Sequence, residues 1–192
     1  MKCQKLLVVR SVITKHTSVD WRRNRSVLEH AIEFATIAHG NQKRKYTGDP
    51  YITHPLAVME IVRSVPGHTP EMLIAAVLHD VVEDTNVSLA DIQDEFGSDV
   101  SEIVLYLTDI SKPTDGNRKV RKQIDCEWNA LGPFEAQTIK VADLIHNTAD
   151  ISQNAPAFWE VYKFEKQRLL DVLQLADTDL WHQAHRQITE LW

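Results

Sequence analysis

His79 and Asp80 are adjacent in the run AVLHDVVEDT (76–85), and Glu83 and Asp84 follow one helical turn later. Read as a helix, the run stacks His79 over Glu83 and Asp80 over Asp84, because residues four apart share a face. The residues around them are apolar, so the spacing predicts an imidazole and a carboxylate in a buried position. A carboxylate taken out of water needs a compensating charge, and a divalent cation supplies one. A second stretch, AQTIKVADLIHNTAD (136–150), sets Lys140, Asp143, Asn147 and Asp150 on one helical stripe. Ile139, Ala142, Ile145 and Ala149 form the adjoining apolar stripe, so Asp143 is expected to face an internal cleft. His39 and His54 are the candidates for a further imidazole. His39 lies on an apolar helix face and is expected to be a hydrogen-bonded core histidine. His54, at the expected N-cap of a helix starting at Pro55, is the better placed ligand. His16, His30, His68, His146, His182 and His185 are expected to be surface or structural.

Two imidazoles and two carboxylates form a borderline-to-hard donor set, suited to Mn²⁺, Fe²⁺ or Zn²⁺ in an open geometry. Such a site acidifies water and polarises a phosphoryl oxygen. Glu83 and Asp84, one turn on, are then free to orient water or move protons. The basic run Lys43-Arg44-Lys45 precedes His54 closely. A guanidinium can stack on a base or fork a phosphate, and a lysine offers a point charge. Local positive charge beside a metal, in a chain of net charge −6, points to a small polyanion as ligand. The same net charge argues against a nucleic-acid polymer or an anionic membrane as the main partner.

The elements that must hold these residues read as helices. At 192 residues the chain is long enough for one well-filled domain. The first 25 residues read as an N-terminal arm, and 26–192 as the domain. Helical spacing is clear from Ser26 to His39 and from Pro55 to about Val65. Thr69-Pro70-Glu71 is a start signal for a central helix, apolar almost all round from Met72 to Val82. Ser88 to Asp91 resembles a capping box, with Gly97 as a stop. Further helices are expected at 99–108, 117–129, 134–151 and 157–190, the last broken near Asp177 to Asp179. Strand signals are scarce, so the expected fold class is all-α. The tail from Phe158 to Trp192 carries Val161, Phe164, Leu169, Val172, Leu173 and Leu175 at helical spacing. Trp181, Ile188, Leu191 and Trp192 extend the pattern, which serves either packing on the bundle or a face for a homo-oligomer. Cys3 and Cys126 lack metal or redox spacing, and the run Leu6–Val9 is too short for a signal-peptide core. A cytoplasmic protein is expected, with no membrane span.

The stretches RKYTGDPYITHP (44–55), AVLHDVVEDT (76–85) and IKVADLIHN (139–147) together resemble the HD-domain hydrolases of the RelA/SpoT group. The resemblance covers about residues 27–170 and is nearest in length to the stand-alone small alarmone hydrolases, including the metazoan SpoT homologue type. It implies an HD-domain helical bundle that removes the 3′-pyrophosphate of guanosine tetra- or pentaphosphate with one Mn²⁺ per site. By the same resemblance His54, His79, Asp80 and Asp143 are the metal ligands, and Glu83 and Asp84 the catalytic acids. Arg44, Lys45 and Asn147 match positions that hold the nucleotide, and Lys140 is assigned to substrate binding with them. The chain departs from the long bifunctional members at Tyr46-Thr47, Leu144 and Asp150, positions that bear on nucleotide selectivity. Two other readings follow from the same residues: an HD phosphohydrolase acting on ppApp, NADPH or a nucleoside monophosphate, and a catalytically silent nucleotide-binding protein.

Overall fold

The computed structural model describes residues 26–190. The expected N-terminal arm, with Cys3, Leu6–Val9 and His16, lies outside the described residues, as do Leu191 and Trp192. Among the described residues the chain is helical, with one isolated antiparallel bridge between Lys43 and Pro50. No helix among them is long and apolar enough to cross a membrane.

Helix α1 (Val27–His39) starts at a reciprocal cap: the Ser26 hydroxyl accepts from the Glu29 N–H, and the Glu29 carboxylate accepts from the Ser26 N–H. It stops at Gly40, whose φ of 54° is open to glycine at little cost. The chain then forms the 43–50 hairpin and enters α2 (Thr53–Arg63). Thr69 caps α3 (Pro70–Leu78) by accepting from the Met72 N–H, with Pro70 in the first turn. A short α4 (Val81–Asp84) follows, then α5 (Leu89–Phe96), capped by the expected Ser88–Asp91 box, and α6 (Ser98–Leu107). A 3₁₀ turn at Pro113–Asp115 leads to α7 (Arg118–Ala130), α8 (Phe134–Asn154), α9 (Pro156–Val172) and α10 (Thr178–Glu190).

Two helices organise the bundle. Every residue of α3 from Met72 to Leu78 is buried, and α3 packs against α1, α2, α6 and α8. Each large side chain buried there stabilises by roughly 1.5–3 kcal/mol relative to exposure. In turn α8 touches α2, α6, α7, α9 and α10. The Gln137 amide locks the turn before α8, donating to the carbonyls of Ala130 (3.1 Å) and Gly132 (2.8 Å) and accepting from the Leu175 N–H. Asp177 N–H donates to Thr138 Oγ1 at 3.0 Å. These bonds fix the expected break in the C-terminal helical stretch, which falls at 173–177.

Two expectations need correction, and a third, left open between packing and an oligomer face, is refined. The first concerns the start of the second helix, expected at Pro55 with His54 as its N-cap: α2 runs Thr53–Arg63, so Ile52 is the cap and His54 sits in the first turn. A Pro50 turn, with Thr53 N–H and Thr53 Oγ1 both donating to its carbonyl, starts the helix early. Secondly, the helix from Pro70 is not continuous to Asp84: it stops at Leu78 and resumes at Val81. His79 Nδ1 lies 2.8 Å from the Ala76 carbonyl. That carbonyl would otherwise receive the Asp80 N–H, so the imidazole competes with the helix ladder. Thirdly, the tail is divided by side. Leu169, Leu170, Leu173, Leu180, Ala184 and Ile188 are buried, whereas Val161, Phe164 and Leu175 face outward.

Candidate metal centre and its pocket

His54 from α2, His79 and Asp80 from the α3–α4 break, and Asp143 from α8 come together beneath one cavity. Ligand atoms of His54, His79 and Asp80 lie within 4.8 Å of one another. His54 Nε2 is 3.1 Å from Asp143 Oδ1 and 3.6 Å from Asp80 Oδ2. His79 Nε2 is 3.0 Å from Asp80 Oδ2 and 3.8 Å from Asp143 Oδ1. Both imidazoles are 1% exposed.

The local structure sets the orientation of each group. A carbonyl only accepts, so His79 Nδ1 carries the proton in its contact with Ala76 O, and Nε2 is turned to the site. That buried Nε2 has no well-formed hydrogen bond. His54 Nδ1 lies 2.9 Å from His146 Nδ1. His146 has its pKa lowered to about 4 by burial, His54 and Arg44. As a neutral ring it can accept the Nδ1 proton of His54 and leave Nε2 for the site. The sequence placed His146 among surface or structural histidines, and its half-buried ring supports a candidate ligand, as outer partners of metal-binding imidazoles do. Tyr51 Oη donates to Asp80 Oδ2 at 2.6 Å, and burial and Asp80 push the phenol pKa up, so it stays a donor. Asn147 donates to Asp143 Oδ1 at 2.6 Å and accepts from Arg44 Nη2 at 2.8 Å.

Charge at the centre is strongly perturbed. Burial opposes ionisation of Asp80, but His79 and His54 outweigh it and hold the carboxyl well below the usual range. Burial likewise opposes Asp143, whose pKa is lowered by the His54 hydrogen bond and by neighbouring His79 and Lys140. For His79, burial favours the neutral ring, yet Asp80 and Asp143 raise its pKa to about 9. Two ionised carboxylates, two imidazoles and an orphaned buried nitrogen suit a divalent cation from the transition series.

Over this centre opens a cavity of about 490 Å³, lined by Arg44, Tyr51, Asp80, Glu83, Asp143 and Asn147 together with α7 and α9. Glu83 reaches the rim. Although Glu83 is exposed as a residue, loss of water around its carboxyl and then repulsion by neighbouring Asp109 raise its pKa to about 7. Asp109 N–H donates to Glu83 Oε2 at 3.3 Å. The loop carrying Asp109 is anchored by buried Asp125, which accepts from Ile110 N, Ser111 N and Ser111 Oγ. Lys140 donates to the Leu107 carbonyl and is kept charged by Asp109, Asp143 and Glu83 despite burial.

Not every candidate reaches the cavity. Asp84 is exposed and accepts from Gln42 Nε2 at 2.8 Å, and it does not line the cavity. Arg44 lines it, with Nη2 already donating to Asn147 and to Asp150 at 2.8 Å. Lys45 is exposed, its Nζ 5.1 Å from the Tyr46 ring centroid and 5.9 Å from that of Phe158. His39 is buried as expected and bonds Gln42 through Nδ1. Tyr51, Asp109 and His146 were missed by sequence reasoning. Tyr51 stands three residues before His54, a signal that spacing could have given. Asp109 arrives only through tertiary folding and left none.

The HD domain family matches residues 31–157. The chain is 36% identical over 130 residues to the guanosine-3′,5′-bis(diphosphate) 3′-pyrophosphohydrolase MESH1 of Drosophila melanogaster, covering 67% of this chain and 71% of that one. It is 32% identical over 141 residues to the Homo sapiens protein of the same name, covering 72% and 77%. It is also 37% identical over 144 residues to the probable GTP pyrophosphokinase of Mycobacterium leprae, but spans only 18% of that longer protein. Among solved structures it resembles a metazoan ortholog of SpoT that hydrolyses ppGpp, with a TM-score of 0.76 and 27% identity over 87% of this chain and 96% of that one.

Proposed function

The chain belongs to the HD-domain family, and from that premise we propose that it is a metal-dependent 3′-pyrophosphohydrolase of guanosine tetra- and pentaphosphate, yielding GDP or GTP and pyrophosphate. The observation that carries this reading is the meeting of His54, His79, Asp80 and Asp143 at the base of a nucleotide-sized cavity. The relatives named for this hydrolysis support the substrate.

His54, His79, Asp80 and Asp143 would hold one divalent cation, with Mn²⁺ as the preferred ion, which supplies Lewis acidity toward the 3′-linked phosphoryl group and acidifies water. The protein's own groups do the rest. Tyr51 and Asn147 hold the two carboxylates in place from behind. Glu83, with a pKa near neutrality, takes the proton from the attacking water and returns it to the departing ribose 3′-oxygen. The water oxygen becomes bonded to phosphorus as the bond to the 3′-oxygen breaks, and pyrophosphate leaves. Lys140 offsets negative charge gathering beside Glu83. Arg44 presents its remaining N–H groups and its face to the nucleotide. Asp84, which accepts from Gln42 outside the cavity lining, is assigned no contact with the reacting atoms. Lys45 is assigned an outer contact to the base or phosphate. Cys126 is a free, buried thiol, in keeping with a reducing cytosol as the working compartment.

The test is pyrophosphate release from ppGpp with Mn²⁺, run beside pppGpp, pGpp, ppApp and NADPH. Turnover of ppGpp that stops on adding EDTA is the expected result. Intact ppGpp alongside cleavage of another substrate in the panel would overturn the assignment.

A further inference from the structure

The end of α6 and the loop after it are held by side chains of α7 and α8. The last carbonyls of a helix have no partner within it. Here the Trp128 indole donates to Leu105 O at 3.1 Å, Asn129 Nδ2 to Tyr106 O at 2.8 Å, and Lys140 Nζ to Leu107 O at 3.2 Å. The loop that follows is gripped by one carboxylate. Asp125 Oδ1 accepts from Ile110 N at 3.1 Å and from Ser111 N at 2.9 Å, while Oδ2 accepts from Ser111 Oγ at 2.9 Å. Lys122, one turn earlier on α7, donates from Nζ to Asp109 Oδ2 at 2.6 Å and lies 3.7 Å from Asp125 Oδ2.

Asp125 is only 3% exposed. A carboxylate at that depth is costly unless hydrogen-bonded, and filling the same space would need only an apolar side chain. What an apolar side chain could not do is fix the backbone of residues 110 and 111. That backbone leads directly to Asp109, whose N–H donates to Glu83 Oε2 and whose carboxylate repels the Glu83 charge. Against burial, Lys140 and then Lys122 hold Asp109 ionised. The other charged groups around Glu83 are Lys140 from α8, which opposes Asp109, and Asp80 from the α3–α4 break, which adds to it. Arg118, Arg121 and Lys122 of α7 share a recess with Glu83 on the side of this loop.

We infer that Asp125 is a positioning residue for Glu83: acting through the 109–111 loop, it seats the Asp109 N–H and carboxylate against the Glu83 carboxyl. The inference rests on the proposed role of Glu83 in proton transfer. Asp125 itself is not among the four candidate metal ligands and takes no part in the bond-making. Its effect is on how Glu83 is aimed and on how readily it holds a proton.

Two variants of the full chain test this, each checked for helicity by circular dichroism and for Mn²⁺ affinity. Asp125→Asn weakens the grip on the loop; Asp109→Asn keeps the N–H and removes the charge, and reads the same contact should Asp125→Asn fail to fold. The first readout needs no turnover. The Glu83 carboxyl is titrated by NMR in metal-free protein carrying ¹³C-labelled glutamate, its signal assigned with Glu83→Gln. Its midpoint should fall toward the ordinary glutamate range in Asp109→Asn and part of the way in Asp125→Asn. Amide exchange at 109–111 should quicken about tenfold in Asp125→Asn. A midpoint unmoved in both variants would overturn the inference whether or not ppGpp is hydrolysed. The second readout is steady-state turnover of ppGpp. In Asp125→Asn kcat should fall about tenfold with KM held within about twofold, and in Asp109→Asn the acid limb of kcat should move to lower pH. A loss confined to KM, or an acid limb that stays in place, would leave Asp125 a structural residue only and overturn the inference. A wild type inactive on ppGpp, with the Glu83 midpoint still following both variants, would overturn the hydrolase reading and uphold the positioning.

Discussion

At the residue scale, the central fact is a pair of imidazoles whose Nε2 atoms face two ionised carboxylates. In the metal-free protein His79 carries a proton at neutral pH, because its pKa is raised to about 9. Its contribution to folding is therefore full below the free histidine value and is lost as pH rises through about 9. A cation must displace that proton, so adding Mn²⁺ at pH 7 should release protons and bind more tightly as pH rises toward 9. Titration in buffers of differing ionisation enthalpy measures this, and metal uptake without proton release would contradict it. Glu83 is the residue assigned to proton transfer. Glu83→Gln should lower kcat by roughly 10²–10⁴-fold with little change in metal affinity. A variant keeping full kcat would remove Glu83 from the mechanism. His146→Ala should loosen His54 and weaken Mn²⁺ binding by about 10–100-fold while the fold persists; circular dichroism and metal titration together check both halves. The carboxylates and two of the imidazoles were legible as candidates because their types are costly to bury. His146 was not, since a histidine beside Asn147 gives no sign of which ring it will meet.

At the element scale, the bundle is built to stop α3 at Leu78. Apolar patterning identified α3 as central, and the Thr69-Pro70 start and Ser88–Asp91 cap were readable from local chemistry. The break at His79-Asp80 was not, because it comes from a side chain competing for the Ala76 carbonyl, and periodicity sees only the apolar flanks. Likewise Pro55 looked like the start of α2, whereas backbone bonds to Pro50 begin it sooner. The break lies at the two residues that reach the site: His79 and Asp80 stay in the right-handed helical region, with Asp80 drawn to φ −97° and ψ −5°. Leu78 is fully buried directly before it. Leu78→Ala should cost about 2–5 kcal/mol in denaturant unfolding, and it should also weaken metal binding by letting the break shift. A stability loss with unchanged metal affinity would show that the break is held by the histidine alone.

At the scale of the whole molecule, three segments distant along the chain deliver one site, and among the described helices α8 touches most of the others. A cation bridging them ties α2, the α3–α4 break and α8 together, so it should stabilise the folded state as well as the reaction. Saturation at about a hundred times Kd adds about 2.7 kcal/mol, a rise in Tm on the order of 5–10 °C for a chain of this length. The overall −6 charge says nothing of how charge is divided around the cavity. That division depends on which charges are paired, and pairing such as Arg118 with Glu165 is set by tertiary contact.

The most direct measurement is the stoichiometry and affinity of Mn²⁺ for the metal-free protein, followed by electron paramagnetic resonance of the free ion. One Mn²⁺ per chain is predicted, with binding lost in His54→Ala and in Asp143→Asn although both variants remain helical. Binding of the same strength in wild type and in both variants would mean that these side chains do not hold the cation, and the account would fall with them.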